Sequence, residues 1–238
     1  MLPTLRMRLE RLYAILIAVI AYVAILYPLT ATAQACDKVD ELVTATPAPP
    51  SSAVAWRTYL EETHFAVRAD VDLVLIGDSL AKNWDPKMLL PMRVLNLGIW
   101  GDKTQNVLWR LAFPKWSNIR PRKVLIILGT NNLKDRPCAI VFGLVKVFKR
   151  VASIWPSAQI GYLEIPPRGT HFLDYNDNRM RINAAIRKVP GIKSISVDNE
   201  ITCEWQEPCS NYLVDNLHFS EAGYRVILTS VKRVLFKK

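Results

Sequence analysis

Short unbroken apolar runs alternate along this chain with longer stretches whose apolar residues recur at helical spacing. Val74-Leu-Ile76, closed by Gly77-Asp78-Ser79, reads as a buried strand over 73–77 ending in a tight turn that displays Ser79. Further runs predict strands over 93–97, 123–128, 159–164 and 192–197, and Val124-Leu-Ile-Ile-Leu128 has the continuous apolar character of a central parallel strand. Helices are predicted over 53–68, with Val54, Tyr59 and Phe65 facing inward, and over 104–113, with Val107, Leu108 and Leu111 inward. Two more are predicted over 139–155, on a stripe of Val141, Leu144, Val145, Phe148 and Val151, and over 176–189. Ser220 is a natural N-cap for a last helix running to about Leu235. Five strands alternating with helices predict a three-layer α/β domain around a five-stranded parallel sheet, occupying 54–238 without internal repeat.

The pattern breaks down ahead of that domain. Basic residues through Arg11 precede an apolar stretch over 12–29, and Ala33-Gln34-Ala35 has the small-x-small character of a signal peptidase site. The stretch is close to the roughly 17–25 residues needed to span a bilayer, so residues 1–35 fit either a cleaved signal peptide or a retained membrane anchor. Both readings export the domain to a periplasmic or extracellular location. Cys36 comes directly after, but Ala33 stands where a lipoprotein signal usually has Leu, which argues against lipid modification. Residues 36–53, with Thr44-Ala-Thr-Pro-Ala-Pro-Pro-Ser-Ser52, read as a Pro/Ser-rich linker too poor in large apolar side chains to pack.

Charge and cysteines change the picture only modestly. The net charge of +10 is spread over both ends and the 120–150 region, with no aromatic-basic motif, so it reads as solvated faces and not as a nucleic-acid footprint. An exported domain can hold disulfides. Cys203 and Cys209 bracket a loop-like stretch and are the expected pair, while Cys36 and Cys138 lack a partner unless they meet each other. Neither Cys-x-x-Cys nor His-Glu-x-x-His spacing occurs, so no metal site is suggested.

Four separated blocks each set polar residues at a predicted strand end or loop: Ser79; Asn96 to Asp102, containing Gly98, Trp100 and Gly101; Gly129-Thr-Asn131-Asn132; and Asp215-Asn-Leu-His218. In a parallel sheet such points open on one edge and can converge. Each block alone is an ordinary turn or cap. Together they hold what acyl transfer needs. A serine hydroxyl requires an adjacent base, and His218 is the histidine placed in a polar block at such an edge, whereas His64 sits alone on an amphipathic helix. A histidine base needs a carboxylate on its second ring nitrogen, and Asp215 lies three residues earlier. The N–H groups of Ser79 and Gly101 and the Asn131 amide could serve the oxyanion, and a side chain at Gly101 would obstruct close approach of the backbone to the ligand.

These blocks resemble those of the SGNH, or GDSL, hydrolases. Within that family the run from Asn96 to Leu111 (Asn-Leu-Gly-Ile-Trp-Gly-Asp-Lys-Thr-Gln-Asn-Val-Leu-Trp-Arg-Leu) looks like the platelet-activating-factor acetylhydrolase catalytic-subunit branch, as do Gly129-Thr-Asn-Asn132, Ile165-Pro-Pro-Arg-Gly169 and Leu217 to Tyr224. The resemblance covers about 71–236 and implies a flavodoxin-like sheet, Ser79 as nucleophile, His218 as base, Asp215 as its orienter, and Gly101 and Asn131 in the oxyanion hole. It implies no metal or organic cofactor. The Gly-x-Ser-x-Gly elbow of α/β-hydrolases is absent. Trp100 departs from the branch, which commonly has a small residue there, and could narrow an acyl pocket or simply pack over the second strand end. Asp102 and Arg168 read as framework. The expectation is an exported serine esterase acting on short acyl esters, acetyl foremost, carried by a small molecule, a polysaccharide or a lipid. The alternatives are an O-acyltransferase with the same chemistry and a non-catalytic glycan- or lipid-binding module.

Overall fold

Residues 36–64 and 71–236 are described in a computed structural model. The expectations for residues 1–35 and for Phe65, and the side chain of His64, lie outside the described residues. The apolar runs form five parallel strands, β1 (Leu73–Gly77), β2 (Val94–Gly98), β3 (Lys123–Ile127), β4 (Gln159–Leu163) and β5 (Ile192–Ile195), in the order β2-β1-β3-β4-β5. This is the flavodoxin-like order, whose crevice lies where the winding reverses between β1 and β3. Gly77 is in register with both Gly98 and Ile127, so β1, β2 and β3 end level and the loops leaving them emerge at one edge.

Side chains alternate across the sheet and each face is covered. Val74, Ile76, Val124 and Ile126 pack with residues of α4 (Thr104–Arg110), α5 (Pro137–Ile154) and α6 (Asn176–Ile186). Leu73, Leu75, Leu125 and Ile127 pack with α3 (Ser79–Lys82), α7 (Asp198–Ile201) and α8 (Glu221–Leu235). Each such fully buried aliphatic side chain stabilises the fold by roughly 1.5–3 kcal/mol through removal from water. Among the described residues no helix is long and apolar enough to cross a membrane.

Two expectations near the N-terminus need correction. Residues 36–53 are not an unpacked linker: Lys38–Ala45 form a helix, α1, with Asp37 as its N-cap. The segment docks by polar contacts, which is why its lack of apolar bulk misleads. The Thr44 hydroxyl donates to the Ala139 carbonyl at 2.6 Å, and the Thr44 carbonyl accepts from the Thr104 hydroxyl at 2.7 Å. Asn106 donates to the Ala48 and Pro49 carbonyls, and Cys36 is disulfide-bonded to Cys138. Gly143 makes the approach possible, since a Cβ there would lie 2.8 Å from both the Thr104 hydroxyl and the Thr44 carbonyl oxygen. In α2 (Ala53–His64), Tyr59 is buried as expected but Val54 is 54% exposed, because Ala55 and Tyr59, one turn apart, take the inner face.

Candidate active site

The β1 run delivers Ser79 directly. Asp78 caps α3, its Oδ1 accepting from the Leu80 N–H at 2.9 Å, and Ser79 is the helix's first residue. The Asp215–His218 turn precedes α8, whose N-cap Ser220 accepts from the Gly223 N–H. Tyr224 of α8 then donates its hydroxyl to the Leu80 carbonyl at 2.9 Å, tying the two helices together.

Ser79, His218 and Asp215 come into direct contact. The His218 Nε2 lies 2.9 Å from the Ser79 Oγ, and its Nδ1 lies 2.6 Å from the Asp215 Oδ2. With Nδ1–H donated to the carboxylate, Nε2 is left to accept the serine hydroxyl proton. The other Asp215 oxygen accepts from the Leu217 and His218 N–H groups at 3.0 and 2.9 Å, which fixes the carboxylate. Partial burial opposes ionisation of Asp215, yet these donors together hold its carboxyl below the usual value.

Gly101 and Asn131 reach the same edge from β2 and β3. Residues 99–102 form a turn closed by the Asp102 N–H to the Ile99 carbonyl, with Gly101 at φ 77°. That conformation, common in type II turns, is what favours glycine, for a Cβ at Gly101 would meet no atom within 4 Å. Asn131 donates from its amide to the Asp102 carbonyl at 3.0 Å, which leaves a second N–H on the same nitrogen. Trp100 is 42% exposed, and its indole N–H donates to Asn83 at 2.8 Å beside the Lys82 ammonium. It therefore lies against the end of α3.

Asp102 and Arg168 are framework, and Arg110 is the partner that sequence reasoning missed. Arg110 donates from Nε to the Asp102 carboxylate at 2.8 Å and from its other arm to the Gly77 carbonyl at 3.1 Å, joining the glycine loop to the end of β1. Both side chains of the pair are 1% exposed. Burial pushes the Asp102 carboxyl upward, against the pull of Arg110. Arg168 donates to the Thr130 hydroxyl at 3.1 Å and so braces the turn that bears Asn131. Asp78 is fully buried with its Oδ2 unpaired, and burial raises its carboxyl to about 7. Among the described residues no group of three or more His, Cys, Asp or Glu side chains is arranged to hold a metal ion.

A five-stranded doubly wound domain with a serine, histidine and carboxylate in contact at its crevice is the layout of an esterase of the serine type. The sequence profile of the GDSL-like lipase/acylhydrolase family matches residues 75–226, and the chain belongs to that family of ester-hydrolysing enzymes. The alpha1 subunit of rat platelet-activating factor acetylhydrolase IB is 28% identical over 175 residues, spanning 70% of this chain and 75% of the relative. A solved structure from Streptococcus pneumoniae shares the fold with a TM-score of 0.63 at 19% identity, over 76% of this chain and 92% of that one. A Geobacillus acetyl-xylooligosaccharide esterase does so with a TM-score of 0.57 at 13% identity, over 72% and 97% of the two chains.

Proposed function

We propose that this chain is an exported serine esterase that hydrolyses short acyl esters, acetyl foremost, through an acyl-enzyme. The observation that carries this reading is the unbroken hydrogen-bonded line from Ser79 through His218 to Asp215. In the first step the Ser79 oxygen attacks the ester carbonyl carbon while His218 takes the hydroxyl proton. The tetrahedral oxyanion is received by the N–H groups of Ser79 and Gly101 and by the free N–H of the Asn131 amide. Collapse expels the alcohol, which leaves with the proton from His218, and the acyl group stays on Ser79. Water then repeats the sequence with His218 again as base, releasing the carboxylic acid and restoring the serine. Asp215 holds the imidazole tautomer and offsets the charge of the imidazolium.

Both disulfides, Cys36–Cys138 and Cys203–Cys209, and the secretion-type pattern of residues 1–35 support a periplasmic or extracellular location. Retention of residues 12–29 as an anchor is the variant of this reading that keeps the domain at a membrane. An acylated saccharide or a lipid is the substrate class that suits such a location. The acetyl preference draws on the names of the rat and Geobacillus relatives and on Trp100, whose indole would narrow the acyl end of the crevice. The test is hydrolysis of p-nitrophenyl acetate, butyrate and octanoate by the purified chain. Ser79→Ala and His218→Ala should each lower kcat by about 10⁶, as expected for loss of a triad member. Trp100→Gly should shift preference toward the longer esters. Turnover that survives Ser79→Ala sinks the esterase reading, and an unchanged chain-length profile sinks the role of Trp100.

A further inference from the structure

Among the described residues, the seven non-glycine residues with positive φ are His171, Phe172, Tyr175, Cys203, Glu204, Trp205 and Asn216. L-residues avoid this conformation unless their surroundings enforce it. All seven belong to two loops and one turn that meet beside His218. Asn216 lies inside the Asp215–His218 turn, and three contacts hold it. Its N–H donates to the Leu213 carbonyl at 3.0 Å, and its carbonyl accepts from the Gly169 N–H at 2.8 Å. Its side-chain amide donates to Glu207 Oε1 at 3.1 Å.

Glu207 is the point where the three segments join. The same Oε1 accepts from the His171 N–H at 3.0 Å, and Oε2 lies 2.9 Å from the His171 ring Nδ1. Glu207 itself sits in the small ring closed by the Cys203–Cys209 disulfide, so its loop cannot open freely. The aromatic rings of Phe172, Tyr212 and Trp205 pack across the same junction, with Phe172 5.2 Å from Tyr212 and 6.4 Å from Trp205. One carboxylate therefore links a covalently closed loop, the left-handed 171–175 loop and the turn that bears both Asp215 and His218.

We propose that Glu207 is a positioning residue for the Asp215–His218 turn, acting through the Asn216 side chain. The proposal rests on the reading of His218 as the base. Its contact is with the turn and not with substrate, so its loss should appear in kcat and leave KM nearly alone. The acceptor matters more than the charge: a glutamine carbonyl oxygen can receive both the His171 N–H and the Asn216 amide.

The test uses the full chain as Glu207→Ala, Glu207→Gln, Asn216→Gly and the double variant Glu207→Ala/Asn216→Gly. It reads kcat and KM on p-nitrophenyl acetate and, separately, the His218 ring ¹⁵N shifts by NMR. Glycine at 216 keeps the positive φ while removing the amide. Glu207→Ala should lower kcat about tenfold with KM within about twofold, the scale of losing an outer partner that orients a working group. Glu207→Gln should restore most of that rate. The double variant should be no slower than Asn216→Gly, because residues acting through one contact are not additive. The His218 ring shifts should move in Glu207→Ala and return in Glu207→Gln. Unchanged kcat and ring shifts in Glu207→Ala, or fully additive losses in the double variant, overturn the proposal. If the wild-type chain turns over no ester, the esterase reading fails, and the ring shifts still decide the role of Glu207.

Discussion

The two sides of the candidate site are built by different physics. Ser79, Gly101 and Asn131 lie just past the level ends of three hydrogen-bonded strands, and the glycine loop is pinned by a fully buried Asp102–Arg110 pair. Backbone conformations with positive φ on this side fall on Gly101 and Gly129, where they cost little. His218 and Asp215 instead sit on a turn outside the sheet, with side chains 26% and 45% exposed. Their neighbours in the left-handed region are ordinary residues held by disulfide, carboxylate and edge-on or tilted aromatic rings. Ser79 is thus located by the register of the core, and His218 by a set of loop contacts. Damage to the first side should register in stability, and damage to the second in rate.

The sharpest contrast is Asp215→Asn. It should leave the denaturant midpoint nearly unchanged while lowering kcat by about 10⁴, the scale seen when a triad carboxylate becomes an amide and the imidazole tautomer is lost. A large loss of stability in urea unfolding would mean that the turn, too, is part of the core. Next comes Arg110→Ala, which strands a buried carboxylate and should cost about 3–5 kcal/mol of unfolding free energy. The exposed Arg225–Glu221 pair offers the control: Arg225→Ala should cost under about 1 kcal/mol in the same unfolding experiment. Comparable costs for the two would erase the distinction between core and surface pairs here.

A further test separates the two sides by the sign of a pH dependence. Asp78 has a folded value raised to about 7 from 3.8, so between about pH 4 and 7 the folded state keeps a proton that the unfolded state has released. Its contribution is full below about pH 4 and is lost as pH rises through about 7. Asp215 is lowered, so its contribution is present above about pH 4 and is lost as pH falls through the depressed value. Asp78→Asn should therefore gain stability relative to wild type as pH rises from about 4 to 7, measured by urea titration at each pH. A difference between the two proteins that stays flat across this window would contradict the raised value.

Much of this is legible in the sequence because it rests on local pattern. The run at 73–77 gives β1 with the predicted bounds, and the chemistry of acyl transfer picks Ser79 from one block and Asp215 and His218 from another, far along the chain, as the groups that meet. The hidden part depends on contacts between residues far apart in the chain. Arg110 reads on its own as one more solvated helix charge, and only the fold turns it toward Asp102 and the Gly77 carbonyl. The 36–53 segment lacks the apolar pattern that signals packing, and it docks through a threonine hydroxyl, backbone carbonyls and a disulfide whose partner the spacing left open. Glu207 carries no local signal either, for its three contacts lie on two other loops.

The Cys36–Cys138 bridge joins residues 102 apart and encloses Ser79, Gly101 and Asn131 in one covalent ring. Asp215 and His218 lie beyond it. A chain emerging N-terminus first therefore has both ends of the ring in hand well before Asp215 and His218 are made. In that interval the half that carries Ser79 can be locked by oxidation before Asp215 and His218 have joined it. The same holds for any product truncated before Asp215: it would carry both cysteines of the ring and Ser79 without the histidine that Ser79 contacts. On the proposed esterase mechanism, hydrolytic competence is therefore conferred late, by the arrival of one turn and the loops that seize it.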